Sequence, residues 1–454
     1  MQKKLITIPI EIYKREFYFQ LYLALLAANE DYQVLLGQQS EKLFKSTKNG
    51  IYFHKDHANW SVDWYKMASR RKMKTVAFDI EGLIYHTAEI YLNNRASKWI
   101  LENIDLVLLW GNSQKKLISK VSNNNSNQTI IGSPKFDICN LLRDSVVTNT
   151  NRKANRILIN TRFASTNIKN SKNYFDNLIK LGVLKTQKDI VEHKYFIESE
   201  NKIYEEFLNL IKLLDNNSNF KITIRPHPAE DHSFYTKLSS KFNNVVVDSK
   251  TDLYQQILNH DCVIHDGCTT AIEANCIGRP VFGLRPENLK NAYNNFANNF
   301  SLNFSCHKDL FDYLIKTKIC DYIDSNCDNL AKSYIHNWKS STINTTNSIL
   351  ESFNKFDIKY QNILNPSILD KFNYKIFLFK LISKTSYFNV FLKIKRVNSF
   401  ITSRQMIESK FPNLDSIELK NLIENLNTLD KNTVKYDDLV IKTISKKLIL
   451  IYKK

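Results

Sequence analysis

With 454 residues, 43% of them hydrophobic and only 9 glycines and 8 prolines, the chain is long enough for two or three cored domains, and collagen-like or proline-rich disorder is excluded. Lysine and arginine outnumber aspartate and glutamate by 64 to 45, a net charge of +19 that points either to an anionic partner or to a face of solvated lysines. Seven cysteines, an odd number without a CxxC pair, indicate neither a disulfide framework nor a zinc knuckle, and they fit a reducing cytoplasm.

The first third alternates between strand and helix patterns. KLITIPI (4–10) reads as a strand, and 13–29 as a helix with Phe17, Leu21, Ala24, Leu25 and Ala28 at helical spacing. YQVLLG (32–37), TVAFD (75–79) and LVLLW (106–110) are further strands, the last two continuous apolar runs of the kind buried on both faces. IIGSPKFD (130–137) adds a short strand and turn. Polar residues 148–155 read as a linker, after which the alternation restarts. RILINT (156–161) is a strand and 202–214 an amphipathic helix. KITIRPHP (221–228), NVVVD (244–248), CVIHDG (262–267) and PVFGL (280–284) follow as strands. This predicts an α/β protein with domains 1–147 and 148–345, each around a parallel sheet, and a mainly helical extension at 346–454 that packs back on the body. The N-terminus lacks a signal-peptide core, and no stretch reaches the ~18 apolar residues of a membrane span.

Ligands of open α/β sheets bind at the carboxyl ends of strands, where this sequence places its unusual polar residues. One strand delivers Arg225-Pro226-His227-Pro228, a stiff loop carrying two hydrogen-bonding side chains, or simply a rigid surface loop. Another delivers His265-Asp266-Gly267-Cys268-Thr269-Thr270 as a helix begins. Gly267 permits close backbone approach, and the helix start presents N–H groups and hydroxyls to an anion. Thr270 and Glu273 also match a T-x-x-E capping box, so Glu273 is either a cap or an acceptor for ribose hydroxyls. Asn160, ending 156–161, is a further candidate substrate contact. In the first domain Asp79-Ile80-Glu81-Gly82 sets two carboxylates at a strand end, one a candidate general base, with Asp79 alternatively capping the next helix. Lys55, within His54-Lys55-Asp56, is a candidate contact to a substrate anion. No DxD triplet, Walker loop, GxSxG, HExxH or GxGxxG occurs, which favours neither a chelated metal nor a nicotinamide or flavin cofactor.

In order, GIYFHKD, FDIEG, IIGSPKFD, ILINTRFASTN, IRPHP, HDGCTTAIEA and KFPNLDSIELKNLI make the chain resemble a bacterial family of surface carbohydrate biosynthesis proteins. That family is related to capsule-polysaccharide transferases using CMP-activated ulosonic sugars. The resemblance spans roughly residues 5–430. It implies a GT-B fold, with two Rossmann-like domains facing a cleft. The nucleotide sugar is then expected on the second domain, and the glycan or lipid-linked acceptor on the first. It also implies that Arg225, His227, His265, Gly267, Thr269, Thr270 and Glu273 bind the donor, and that Glu81, in preference to Asp79, is the catalytic carboxylate. Kdo or a sialic, pseudaminic or legionaminic-type acid would be the transferred sugar, with the CMP-sugar as co-substrate and neither metal nor cofactor. A nucleotide-sugar epimerase or a CDP-glycerol-type glycerophosphotransferase is the alternative on the same fold. A non-catalytic basic nucleic-acid- or membrane-binding protein is the alternative from another class, although no nucleic-acid-binding motif is present. The basic, aromatic segment 374–397 is expected either to touch the inner face of the cytoplasmic membrane or to pack on the body with solvated lysines.

Overall fold

The computed structural model describes residues 1–44, 47–82, 88–144, 146, 153–163, 166–167, 179, 186–227, 230–286, 289, 296–318, 327–364 and 410–454. They form two compact units. The first gathers Met1–Gly82, Thr87–Leu141 and Ser333–Lys454, and the second centres on Leu142–Lys332.

Six parallel strands build the first unit: β1 (Gln2–Ile10), β2 (Tyr32–Gln38), β3 (Ile51–His54), β4 (Lys74–Phe78), β5 (Leu106–Leu109) and β6 (Gln128–Ile130). The chain sets β2 on one side of β1, then crosses to add β3 to β6 on the other, so the order reverses between β1 and β3. The helix Tyr13–Asn29 buries every residue from Leu21 to Ala28, since a helix apolar all round must be covered all round. Residues 134–137, expected to continue a strand and turn, open the helix Pro134–Arg143 instead, with proline at its first position, where no backbone donor is needed.

In the second unit β7 (Arg156–Asn160), β8 (Lys221–Arg225), β9 (Val245–Val247), β10 (Cys262–His265), β11 (Val281–Leu284) and β12 (Leu302–Phe304) are all parallel. Their order is β12-β11-β10-β7-β8-β9, a Rossmann-like sheet whose reversal lies between β7 and β10. Buried Asp261 fixes that junction at its amino end, taking the backbone N–H groups of Asn155 and Arg156 at 3.0 and 2.9 Å and the Arg156 guanidinium at 2.9 Å. The amphipathic helix runs further back than the apolar spacing predicts, from Gln187 to Asp215, because Thr186 and Asp189 close a capping box at its start. Two Rossmann-like α/β units in one chain is the architecture expected of a GT-B fold. The expected linker is described only from Lys153 onward.

The far third departs from expectation in two ways. The boundary expected at 345 lies at 332/333, because residues 333–346 pack on the first unit. There Asn337 donates to Asp137 at 2.7 Å and to the Ser133 carbonyl at 2.9 Å, while the Thr346 hydroxyl reaches Asp137 at 2.7 Å. Nor are the described residues of the extension mainly helical. Beyond Thr345–Asn354, β13 (Gln361–Asn362) pairs with β1; after the helix Ser416–Leu429, β14 (Leu439–Ser445) and β15 (Leu448–Lys453) form a hairpin. β15 lies antiparallel on β2 and covers an edge that would otherwise expose unpaired backbone groups. Segment 374–397 lies outside the described residues, and no described helix is long and apolar enough to cross a membrane.

Candidate functional site

The registers of the second sheet gather residues far apart in sequence. Asn160 of β7 stands opposite Arg225 of β8 on one side and His265 of β10 on the other. Three of the expected site residues therefore form one row at the carboxyl ends of three adjacent strands, across the point where strand order reverses. That is where ligands of doubly wound sheets bind.

Asn160 is 2% exposed, and among the described residues neither its amide nitrogen nor its oxygen has a hydrogen-bond partner. A buried amide left this way costs free energy until something supplies the missing bonds. Next to it on the chain, Thr161 donates to Glu230 at 2.5 Å. Glu230 also takes the N–H groups of Phe163 and His227 at 2.6 Å each and the Tyr235 hydroxyl at 2.9 Å. This fully buried carboxylate, overlooked in the sequence, ties the loop after β7 to the loop after β8 and sets the backbone around half-buried His227. Its only sequence signal is its place three residues beyond that histidine.

His265 proves to be a structural histidine. Its Nδ1 accepts the Cys268 N–H at 3.1 Å, which leaves the proton on Nε2 to bond the Ser301 hydroxyl at 2.5 Å. Burial, assisted by Arg162, pushes its pKa down to about 3, so it holds the loop as a neutral ring and supplies no positive charge to an anion. Arg225 is similarly engaged, giving Nη1 to the Thr251 carbonyl at 2.7 Å and to Gln256 at 2.5 Å.

Gly267 has φ of +66°, a left-handed conformation open to glycine, and it turns the chain into the helix Thr270–Ile277. Thr269 is the N-cap residue, yet its side chain makes no capping bond. The expected Thr270–Glu273 capping box is therefore absent, because the cap falls one residue earlier and the third helical position is Ile272. Thr270 Oγ1 lies 3.3 Å from the Cys268 thiol, and Glu273 is buried. Asp266, not singled out from the sequence, is 3% exposed and its Oδ1 has no partner among the described residues. Burial raises its pKa against the pull of Arg162 and Arg285. This end of the second unit therefore combines a helix start, neutral polar side chains and unmet hydrogen-bonding capacity.

The corresponding end of the first sheet is crowded with charge. Asp79 is fully buried; Arg95 grips both its oxygens, the Nε contact at 3.2 Å, and Tyr91 donates to it at 3.1 Å. It also accepts the N–H of Glu81 at 3.1 Å. Glu81 is about a third exposed and pairs with Arg95 at 2.8 Å and with Arg15. Lys55, expected at a substrate anion, is buried between Glu11 at 2.6 Å and Asp56 at 3.1 Å. Burial alone would raise Glu11, but Lys55 and Lys410 outweigh it and hold the carboxyl at about 2. Glu16, also absent from the sequence reading, accepts the N–H groups of Glu11 and Ile12 at 3.0 Å each, and burial raises its pKa to about 7. Among the described residues no group of three or more His, Cys, Asp or Glu is placed to hold a metal ion.

No family model and no curated protein matches this chain. Solved structures do. The wall teichoic acid polymerase TagF is 13% identical, covering 78% of this chain and 89% of that one with a TM-score of 0.41. The UDP-GlcNAc 2-epimerase of Methanocaldococcus jannaschii, in complex with UDP-GlcNAc and UDP, is 12% identical over 78% of this chain and 100% of that one, with a TM-score of 0.45. MnaA of S. aureus with UDP is 10% identical over 80% and 100%, with a TM-score of 0.44.

Proposed function

We propose that the chain is a nucleotide-dependent transferase of surface-polymer assembly, with the donor's nucleotide and phosphate held by the second unit. The observation carrying this reading is Asn160 at the reversal point, its amide buried and, among the described residues, unpartnered, in register with the strand end that leads into the helix at Thr270. A phosphate at that start would meet the positive end of the helix dipole and the hydroxyls of Thr269 and Thr270. Asn160 would gain the bonds it lacks, and Gly267 would let the backbone close on the donor. As the donor bond breaks, the leaving phosphate gains charge, which fixed donors stabilise without reorganising. On the acceptor side Glu81 is the better placed of the two carboxylates, since Asp79 is enclosed by Arg95 and Tyr91.

The resemblance favours a CMP-linked ulosonic acid such as Kdo or a nonulosonic acid, acting at the cytoplasmic membrane face; CDP-glycerol and UDP-sugar chemistry stand as the alternatives. A thermal-shift series with CMP, CDP and UDP, followed by mass spectrometry with CMP-Kdo, CMP-nonulosonate, CDP-glycerol and UDP-GlcNAc, separates them. A ligand at 100 times its Kd stabilises the native state by about 2.7 kcal/mol, a readily measured rise in Tm. Absence of any shift with all three nucleotides overturns the reading.

A further inference from the structure

Trp60 is 59% exposed, an unusual position for the largest apolar side chain. It lies in the turn Asn59–Ser61 that follows β3, at the carboxyl end of the first sheet. Arg95 sits against its ring, 6.0 Å from guanidinium to ring centroid, and the same Arg95 bonds Glu81 at 2.8 Å. Arg15, from the start of the helix after β1, meets the other oxygen of Glu81. An open indole face, an accessible carboxylate and two guanidinium groups thus come together from the loops after β1, β3 and β4.

We infer that Trp60, Arg95, Glu81 and Arg15 form a binding subsite for a neutral pyranose. A pyranose has an apolar face of C–H groups and an edge of hydroxyls. The indole offers the matching flat apolar surface, while Glu81 accepts from vicinal hydroxyls and the arginines donate to them. Charge decides between sugar and nucleotide as the stacked ligand. Arg15 and Arg95 are both ion-paired, and with Asp79 and Glu81 the cluster sums to zero, so a phosphate would have to break an existing pair. A sugar hydroxyl adds bonds without displacing one. The subsite stands on these residues alone; only its description as an acceptor subsite rests on the transferase reading.

Saturation-transfer NMR on the full chain tests this with an equimolar mixture of the methyl pyranosides of glucose, galactose, mannose, rhamnose, N-acetylglucosamine and N-acetylgalactosamine, and CMP in a separate sample. The expected result is saturation of ring C–H protons in at least one pyranoside, reduced about fivefold or more in Trp60→Ala and largely kept in Trp60→Phe, which retains a flat face. Because the side chain is exposed, both variants should keep the wild-type Tm. The inference fails if no pyranoside is saturated, if Trp60→Ala leaves saturation unchanged, or if saturation of CMP, instead of a sugar, depends on Trp60. Loss of nucleotide-induced thermal shifts in the wild type, with pyranoside binding intact, would overturn the transferase reading and leave the subsite standing.

Discussion

The carboxyl ends of the two sheets solve the same problem in opposite ways. In the first unit nearly every charged side chain at the strand ends has an opposite charge against it: Lys55 with Glu11 and Asp56, Arg95 with Asp79 and Glu81. In the second, the strand ends hold a neutral histidine, a buried amide without partners and a carboxylate with one bare oxygen. A charge-satisfied surface is stable alone and gives weak, hydroxyl-scale recognition. A surface with unmet polar atoms carries a cost until a ligand completes it. On the proposed reading, the ligand-dependent binding belongs to the second unit, a division that the chain's excess of positive charge does not suggest.

Breaking the charge balance of the first unit should give the largest effect. Lys55→Met keeps the bulk but leaves Asp56 buried without the Lys55 ammonium. Removing one partner of a buried pair costs roughly 3–5 kcal/mol, so urea denaturation should show a loss of that order. A loss below about 1 kcal/mol would mean that the pair is solvated and the contrast overstated.

The second prediction concerns pH. His265 has a folded pKa near 3, well below its ordinary value, so the folded state binds fewer protons than the unfolded one. Its contribution is fully present above pH ~6.5 and is lost progressively as pH falls toward 3. His54 in the first unit, held near 4 by burial, acts with the same sign. Glu16, raised to about 7, acts oppositely: its contribution is present at low pH and lost as pH climbs from the ordinary carboxyl range to 7. His265→Gln cannot titrate, so its stability between pH 6.5 and 4 should fall less steeply than that of the wild type. Parallel profiles would show that His265 is more exposed to water than its hydrogen bonds to Ser301 and Cys268 imply.

How much of this was legible in sequence follows from which interactions are local. The central strands of the second sheet read correctly because CVIH and VFGL are buried on both faces and need no partner to be recognised, whereas β12 was missed. Asn160, Arg225 and His265 stood out because each ends such a run; that they form one row depends on register, which the sequence leaves open. The C-terminal hairpin was hidden within an extension expected to be mainly helical, because LILIYK becomes a strand through the free edge of β2, over 400 residues earlier in the chain. Arg95 and Glu230 were invisible as site residues: a lone arginine and a lone glutamate acquire meaning only through carboxylates and amides brought in by other loops. The capping box misled because one register step in a helix start changes which residue is the cap.

A smaller effect tests the turn that both readings of the second unit need. Gly267→Ala places a Cβ on a residue at φ +66°, which costs roughly 1–2 kcal/mol. A drop in stability of that size, with a larger relative loss of nucleotide-induced thermal shift, would show that the loop geometry serves the ligand. Equal loss of both would make Gly267 a folding residue only.

The smallest change in stability should accompany the most informative change in binding. Asn160→Ala removes two buried polar atoms that bond nothing in the unliganded protein, so it relieves a desolvation cost while opening a small cavity. These oppose each other, and the unliganded Tm should move little, the net change staying within about 1 kcal/mol. If the amide is held for a ligand, the same substitution removes one or two hydrogen bonds from the complex and weakens CMP, CDP or UDP binding about tenfold, measured by calorimetry. A neutral stability effect with weakened binding is the signature of a residue kept for its ligand. Destabilisation with unchanged binding would give Asn160 the role its neighbours His265 and Glu230 already have, and the row across the strand ends would be a packing feature.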